Sequence, residues 1–172
     1  MGHESLKQYF HKQYDEYADA LFRFCFFKVN NRDKALDITQ EVFMRFWDKI
    51  QGGEHVNNPR AFLYKVARNL IIDWYRKKKD DSLDALKEDG LEIADDSRTP
   101  MPMSTEEGAE IQRILAIIQG LDDGDRDVLI MRYVEGLPPK EIAEILGESA
   151  NAVSVRINRA IKKVQEKAMQ YE

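Results

Sequence analysis

The 172-residue sequence predicts an all-α fold of two small helical domains, joined by an acidic flexible linker, with a helix-turn-helix in the second domain. Three observations predict it. The apolar patterns recur at helical spacing, and none alternates strictly as a half-buried strand would. The stretch DDSLDALKEDGLEIADDSRTPMPMS interrupts them with clustered acids, Gly90, Pro100 and Pro102, which reads as a linker. The segment PPKEIAEILGESANAVSVRINRAIKKV then sets a short helix, a glycine turn and a longer basic helix in succession. The domains are accordingly placed at residues 1–79 and 104–172, with the linker at 80–103.

The first helix is expected over Leu6 to Val29, and its stretch YADALFRFCFFKV is apolar on most faces, as a helix central to a bundle would be. After the turn NNRD, a second helix runs from Asp33 to Ile50 with Ala35, Ile38, Val42, Phe46 and Ile50 on one stripe, and Gly52-Gly53 ends it. Asn58 caps a third helix and Pro59 occupies its first turn, where the missing N–H costs nothing. Its inner face is read as Phe62, Leu63, Val66, Leu70 and Trp74. Beyond the linker, Ser104 and Glu107 form a capping-box pair opening a helix with Ile111, Ile114, Leu115 and Ile118 inward. A helix from Asp123 to Glu135 follows, with Val128, Leu129, Met131 and Tyr133, closed by Gly136. Pro138-Pro139 starts the short helix through Leu146, and Ser149 caps the final one, which runs to Ala168.

The net charge of −5 argues superficially against a nucleic-acid ligand, but it is a sum of unlike segments. Residues 60–79 carry seven basic side chains against Asp73 alone, residues 80–107 carry ten acids against Lys87 and Arg98, and residues 148–172 carry five bases against three acids. Two basic segments therefore flank an acidic one, and a ligand responds to the local field rather than the total. The acidic linker could fold back on those faces or simply be solvated.

Several chemistries are excluded at this level. Cys25 is the single cysteine, so no intrachain disulfide is possible, and no Cys/His spacing suits zinc. His3, His11 and His55 lack an acid, base or metal partner, and no nucleophile motif or phosphate-cradling glycine loop is present, so neither enzymatic activity nor a cofactor is expected. No stretch reaches the roughly 18 apolar residues of a membrane span, and no signal peptide is apparent, so membrane insertion is not expected and a cytoplasmic setting is.

In the helix-turn-helix, Ala143 is small where two helices would cross, Gly147 four residues later suits a left-handed turn, and Val153 six residues on fills the space between them. The last helix would then enter a major groove with Asn151, Ala152, Ser154, Val155, Asn158 and Arg159 outward, while Arg156, Lys162 and Lys163 are placed for phosphate or for the domain's own surface. An ordinary helical hairpin with a solvated basic face has the same spacing. The run ARNLIIDWYRKKK mixes aromatic and basic residues on one helix, which suits phosphate contact plus stacking on unpaired bases, although a solvated face would read alike.

The motifs DITQEVFMRFW at 37–47, NPRAFLYKVARNLIIDWYRKKK at 58–79 and LDDGDRDVLIMRYVEGLPPKEIAEILG at 121–147, in this order, resemble the bacterial sigma factors. Within them the chain is similar to the extracytoplasmic-function group, which keeps only sigma domains two and four. That resemblance implies a promoter-specificity subunit that binds core RNA polymerase, recognises minus-ten and minus-thirty-five promoter elements and promotes strand opening. It implies that Asp37, Gln40 and Glu41 dock on the polymerase, although a solvated polar face is the alternative. It implies that Asn69 inspects a flipped base of the minus-ten element, that Asp73 and Arg76 are the polar positions beside it, and that Arg76, Lys77, Lys78 and Lys79 hold the backbone of the opened duplex. A solvent-facing Asn69 without that role is the alternative. The minus-thirty-five duplex would be read by Asn151, Ser154, Val155, Arg156, Asn158 and Arg159. An anti-sigma factor is an implied partner that no residue here identifies.

The chain departs from the family in having Ala152-Val153-Ser154-Val155-Arg156 where many members have Thr-Val-Lys/Arg-Ser-Arg. No basic residue stands at 154 to contact a guanine as a Lys or Arg there would, and Val155 could meet a thymine methyl instead. The competing readings are a helix-turn-helix regulator with an unrelated helical sensing domain and, below it, a helical adaptor that binds protein alone.

Overall fold

The computed structural model describes residues 3–88, 113–114 and 116–170, and these are helical apart from turns and short connections. The chain divides into two compact units, Met1–Arg98 and Thr99–Glu172. The capping pair Ser104 and Glu107 and the inward positions Ile111 and Leu115 lie outside the described residues.

The first unit packs α1 (His3–Val29), α2 (Arg32–Gln51) and α3 (Pro59–Glu88) mutually against one another. Asn30 turns the chain between α1 and α2 at φ 48°, a left-handed value that asparagine tolerates, and Asn31 caps α2 by accepting from the Lys34 amide at 2.8 Å. The whole expected α2 stripe, Ala35, Ile38, Val42, Phe46 and Ile50, is buried, joined by Thr39 and Phe43. From α1 come Leu21, Phe24, Cys25 and Val29, all buried, while Phe22, Phe26 and Phe27 are half-buried around them, as a central helix requires. Asn58 caps α3 through its Oδ1, which accepts from the Ala61 amide at 3.1 Å.

The inner face of α3 differs from the expected one. Ala61, Leu63, Tyr64, Ala67 and Ile71 are buried, whereas Phe62, Val66, Leu70 and Trp74 are half-buried at its flanks. Ala61 and Ala67 let the helix approach its neighbours closely, and Tyr64 meets Phe24 edge-on with ring centroids 5.2 Å apart. A periodicity judged on large apolar side chains passes over such alanines and rotates the stripe by about one position. The helix also continues to Glu88, beyond residue 79, because the sequence after the basic run contains good helix formers and meets no glycine until Gly90.

In the second unit, residues 116–119 are helical and Ile117 and Leu121 are buried, whereas Ile114, expected inward, is exposed. Then α4 (Asp123–Leu129) runs into a π-helical turn, Ile130–Val134, followed by α5 (Pro139–Leu146) and α6 (Ala150–Met169). The π turn accounts for a second difference from expectation. Its wider i→i+5 bonding, as in the Glu135 amide to the Ile130 carbonyl at 3.0 Å, shifts the faces of the helix, so that Ile130 is buried and Tyr133 is exposed. Val128, Leu129, Met131, Leu137, Ile142, Ile145, Val153, Ile157 and Ala160 complete this core.

Candidate nucleic-acid interface

The turn between α5 and α6 is built as its spacing predicts. Gly147 has φ 69° and ψ 33°, a left-handed conformation that side chains disfavour, and the amides of Gly147 and Glu148 both bond to the Ala143 carbonyl. Ser149 caps α6 by accepting from the Ala152 amide at 3.1 Å. Ala143 is buried at the crossing of the two helices and Val153 is completely buried beneath it. This is a helix-turn-helix with α6 as its second helix.

On α6, Asn151, Ala152, Val155, Asn158 and Arg159 are exposed, and Val155 is 61% exposed although apolar. Ser154 is half-buried and turns its hydroxyl back to the Ala150 carbonyl at 2.9 Å, within its own helix. Arg156 pairs with Glu148 at 2.8 Å beside the turn. Arg159 is 61% exposed yet donates through Nη2 to Oδ1 of Asp125 at 2.9 Å, and Lys163 reaches Oδ2 of the same carboxylate at 2.6 Å and Asp122 at 3.0 Å. Burial by itself pushes the Asp125 carboxyl up, but the hydrogen bonds from Lys163 and Arg159, with their charges, outweigh it and hold the group below its ordinary value of 3.8. The same bonds raise Lys163 and Arg159 above their ordinary values.

On α3, Asn69, Asp73 and Arg76 occupy successive turns of one outward face. Asn69 is exposed, and Arg76 donates to Asp73 at 2.9 Å in an open ion pair of little intrinsic strength. Lys77, Lys78 and Lys79 are exposed, and the Lys78 ammonium lies 5.4 Å from the Trp74 ring centroid. The basic run follows that row along α3, its three consecutive lysines fanning around the helix so that Lys78 lies on the Trp74 side rather than in line with Asn69.

On α2, Asp37, Gln40 and Glu41 share one side of the helix at i, i+3 and i+4. Asp37 and Gln40 are exposed, and Glu41 accepts from Arg45 at 2.8 Å. Gln40 also borders a groove of about 550 Å³ between α1 and α2, whose apolar walls are Phe10, Tyr14, Phe43, Met44 and Trp47. Met44 is 60% exposed. Sequence reasoning missed this groove, although the run VFMRFW carries a signal: a helix so rich in apolar residues on consecutive positions cannot turn all of them toward one core. It also missed Asp125, whose partners lie 34 and 38 residues away along the chain.

Among the described residues no group of three His, Cys, Asp or Glu side chains is placed to hold a metal ion, and no helix is long and apolar enough to cross a membrane.

The fold and these surfaces define a two-unit helical protein with a helix-turn-helix module and a second basic helix on a separate bundle. Family descriptions agree with that division: Sigma-70 region 2 matches residues 13–80 and Sigma-70 region 4 matches residues 111–164. The chain is 34% identical over 154 residues to the ECF RNA polymerase sigma factor SigW of Bacillus subtilis, spanning 84% of this chain and 81% of that protein. It is 25% identical over 160 residues to SigX of the same organism, across 91% and 82% of the two chains. In fold it is similar to the sigma factor RpoE solved with the anti-sigma factor NepR from Bartonella quintana, at TM-score 0.69 and 23% identity over 91% of this chain and 94% of that one. It is likewise similar to CnrH solved with the cytosolic domain of CnrY, at TM-score 0.67 and 21% identity over 96% and 91%. The chain belongs to the extracytoplasmic-function RNA polymerase sigma factors, and it is a promoter-recognising transcription initiation factor.

Proposed function

We propose that the labour is divided between the two units, taken as residues 1–79 and 104–172 with 80–103 linking them. The first unit docks on core RNA polymerase through Asp37, Gln40 and Glu41, and it reads and opens the minus-ten element through Asn69, Asp73 and Arg76, with Lys77, Lys78 and Lys79 holding the backbone. The second reads the minus-thirty-five duplex through Asn151, Ser154, Val155, Arg156, Asn158 and Arg159. The observation that carries this reading is the outward row of Asn69, half-buried Asp73 and Arg76 on α3, followed along the helix by three exposed lysines, in the same chain as a helix-turn-helix.

The physical logic is that extruding a base from a duplex costs a few kcal/mol, and an amide offering both a donor and an acceptor offsets that cost for a matching base edge. Recognition and strand opening are then one event, requiring no covalent step by this chain. Phosphate contacts from the adjacent lysines add affinity without sequence information. The work is done in the cytoplasm, where polymerase acts. A protein of the anti-sigma kind is a further partner, by likeness to the two sigma factors solved with such proteins.

Run-off transcription with reconstituted cognate core polymerase on genomic fragments tests the reading. Initiation from promoters that the core alone ignores is the expected result. A correctly folded chain that associates with no cognate core would overturn it.

A further inference from the structure

Asp125 stands on α4, outside the reading helix, and its carboxylate is 2% exposed. Each of its two oxygens nevertheless takes one cation from α6: Oδ1 accepts from Arg159 Nη2 at 2.9 Å and Oδ2 from Lys163 Nζ at 2.6 Å. Arg159 and Lys163 are four residues apart, so they stand on adjacent turns of one helix face, with the carboxylate bridging them. Asp122, the residue before α4, meets the same Lys163 at 3.0 Å. The Arg159 side chain is still 61% exposed, so one nitrogen is tethered inward while the rest of the guanidinium faces solvent.

A long arginine side chain on a bare helix samples many rotamers and can reach whatever phosphate is near. One held by a buried carboxylate presents its remaining N–H donors in one direction, and its planar fork makes that direction matter. A lysine whose charge is taken up by two carboxylates adds less to general attraction for the DNA backbone.

We propose that Asp125 is a positioning residue for duplex reading by α6: its carboxylate sets the orientation of Arg159 and takes up the charge of Lys163, so that the helix discriminates sequence rather than gripping any phosphate. The proposal rests on the reading of α6 as the duplex-reading helix. It separates Asp125 from a residue that merely holds the fold, because loss of the carboxylate is expected to release two cations and strengthen indiscriminate binding while weakening selectivity.

The test uses the full chain, a duplex selected by the wild type from a random pool, and a scrambled duplex of the same composition. Asp125→Asn is expected to lower the selected-to-scrambled affinity ratio by about five-fold, a typical effect of uncoupling two contacting groups. Binding to the scrambled duplex is expected to hold or tighten, with a log–log salt slope steeper by about one. In an Arg159→Ala background, Asp125→Asn is expected to leave the ratio unchanged. Arg159→Lys, which keeps the charge and loses the tethered fork, is expected to lower the ratio while keeping scrambled binding, and it serves if Asp125→Asn fails to fold. Parallel loss on both duplexes at an intact ratio, the same change in the Arg159→Ala background, or an undiminished ratio in Arg159→Lys would each overturn the proposal. A wild-type chain that selects no sequence from the pool would instead overturn the reading of α6, and the positioning role with it.

Discussion

The phenol of Tyr75 on α3 donates a hydrogen bond to the backbone carbonyl of Lys28, one residue before the end of α1. The bond joins residues 47 apart in sequence on two helices, and Tyr75 lies within the same turn as Asp73 and Arg76. The stretch of α3 that carries the proposed minus-ten residues is therefore anchored to the bundle by a polar contact as well as by Tyr64 and Ile71.

Tyr75→Phe removes the hydroxyl and leaves the ring. Because the site is only partly buried, the expected cost is about 1 kcal/mol in unfolding free energy, measured by urea denaturation of the full chain. A loss of strand opening larger than this stability change explains would show that the anchor also aligns the Asn69 row.

Asn69→Ala is expected to impair promoter opening more than duplex binding. Permanganate reactivity of unpaired thymines reports the first, and retention of an upstream duplex reports the second. Since Asn69 is exposed, its truncation should change the melting temperature little. Equal loss of opening and duplex binding would assign Asn69 a structural role.

Gly147→Ala is expected to destabilise the second unit by about 1 to 2 kcal/mol, the cost of placing a Cβ in the left-handed conformation. Nothing lies within 4 Å of a Cβ built there, so the cost comes from backbone strain and not from collision. Gly147→Asn should recover part of it, because asparagine visits that conformation more readily. Thermal unfolding of the three chains decides the order.

The Asp125 cluster gives an acid-side signature. Its carboxyl titrates below 3.8 in the folded chain, facing Arg159 and Lys163 from α6 and Asp122 beside α4, so the unfolded chain takes up the proton first as pH falls. The contribution is complete above 3.8 and is lost as pH falls through the depressed folded value. The melting temperature of the wild type should therefore drop more steeply than that of Asp125→Asn across about pH 5 to 2. Lys163 has the opposite sign: its value is raised above 10.5, so its share is complete below 10.5 and is lost as pH rises through the raised value.

What was legible in the sequence follows from what each signal depends on. The α2 stripe was read correctly because its inward residues repeat at helical spacing and, apart from Ala35, are large. The turn at Gly147 and the cap at Ser149 were read because both are local chemistry. The face of α3 was misread because Ala61 and Ala67 lie at its centre, where close helix approach and not hydrophobic bulk decides burial. Tyr133 was misplaced because a π turn changes the period without a residue that announces it. Asp125 reads in sequence as an ordinary acid in the first turn of a helix. Its role depends on Arg159 and Lys163, which the fold alone brings to it.

Cys25 sits in the first core with no exposed surface and is the single thiol in the chain. That makes it a built-in clock for the bundle. A thiol reagent can reach it when the helices part, so its labelling rate reports how often the first unit opens, with no other sulfhydryl to confuse the signal. A partner that clamps the bundle would slow that clock, and one that pries α1 from α2 would speed it, so the chain can report on its own regulation without an added probe.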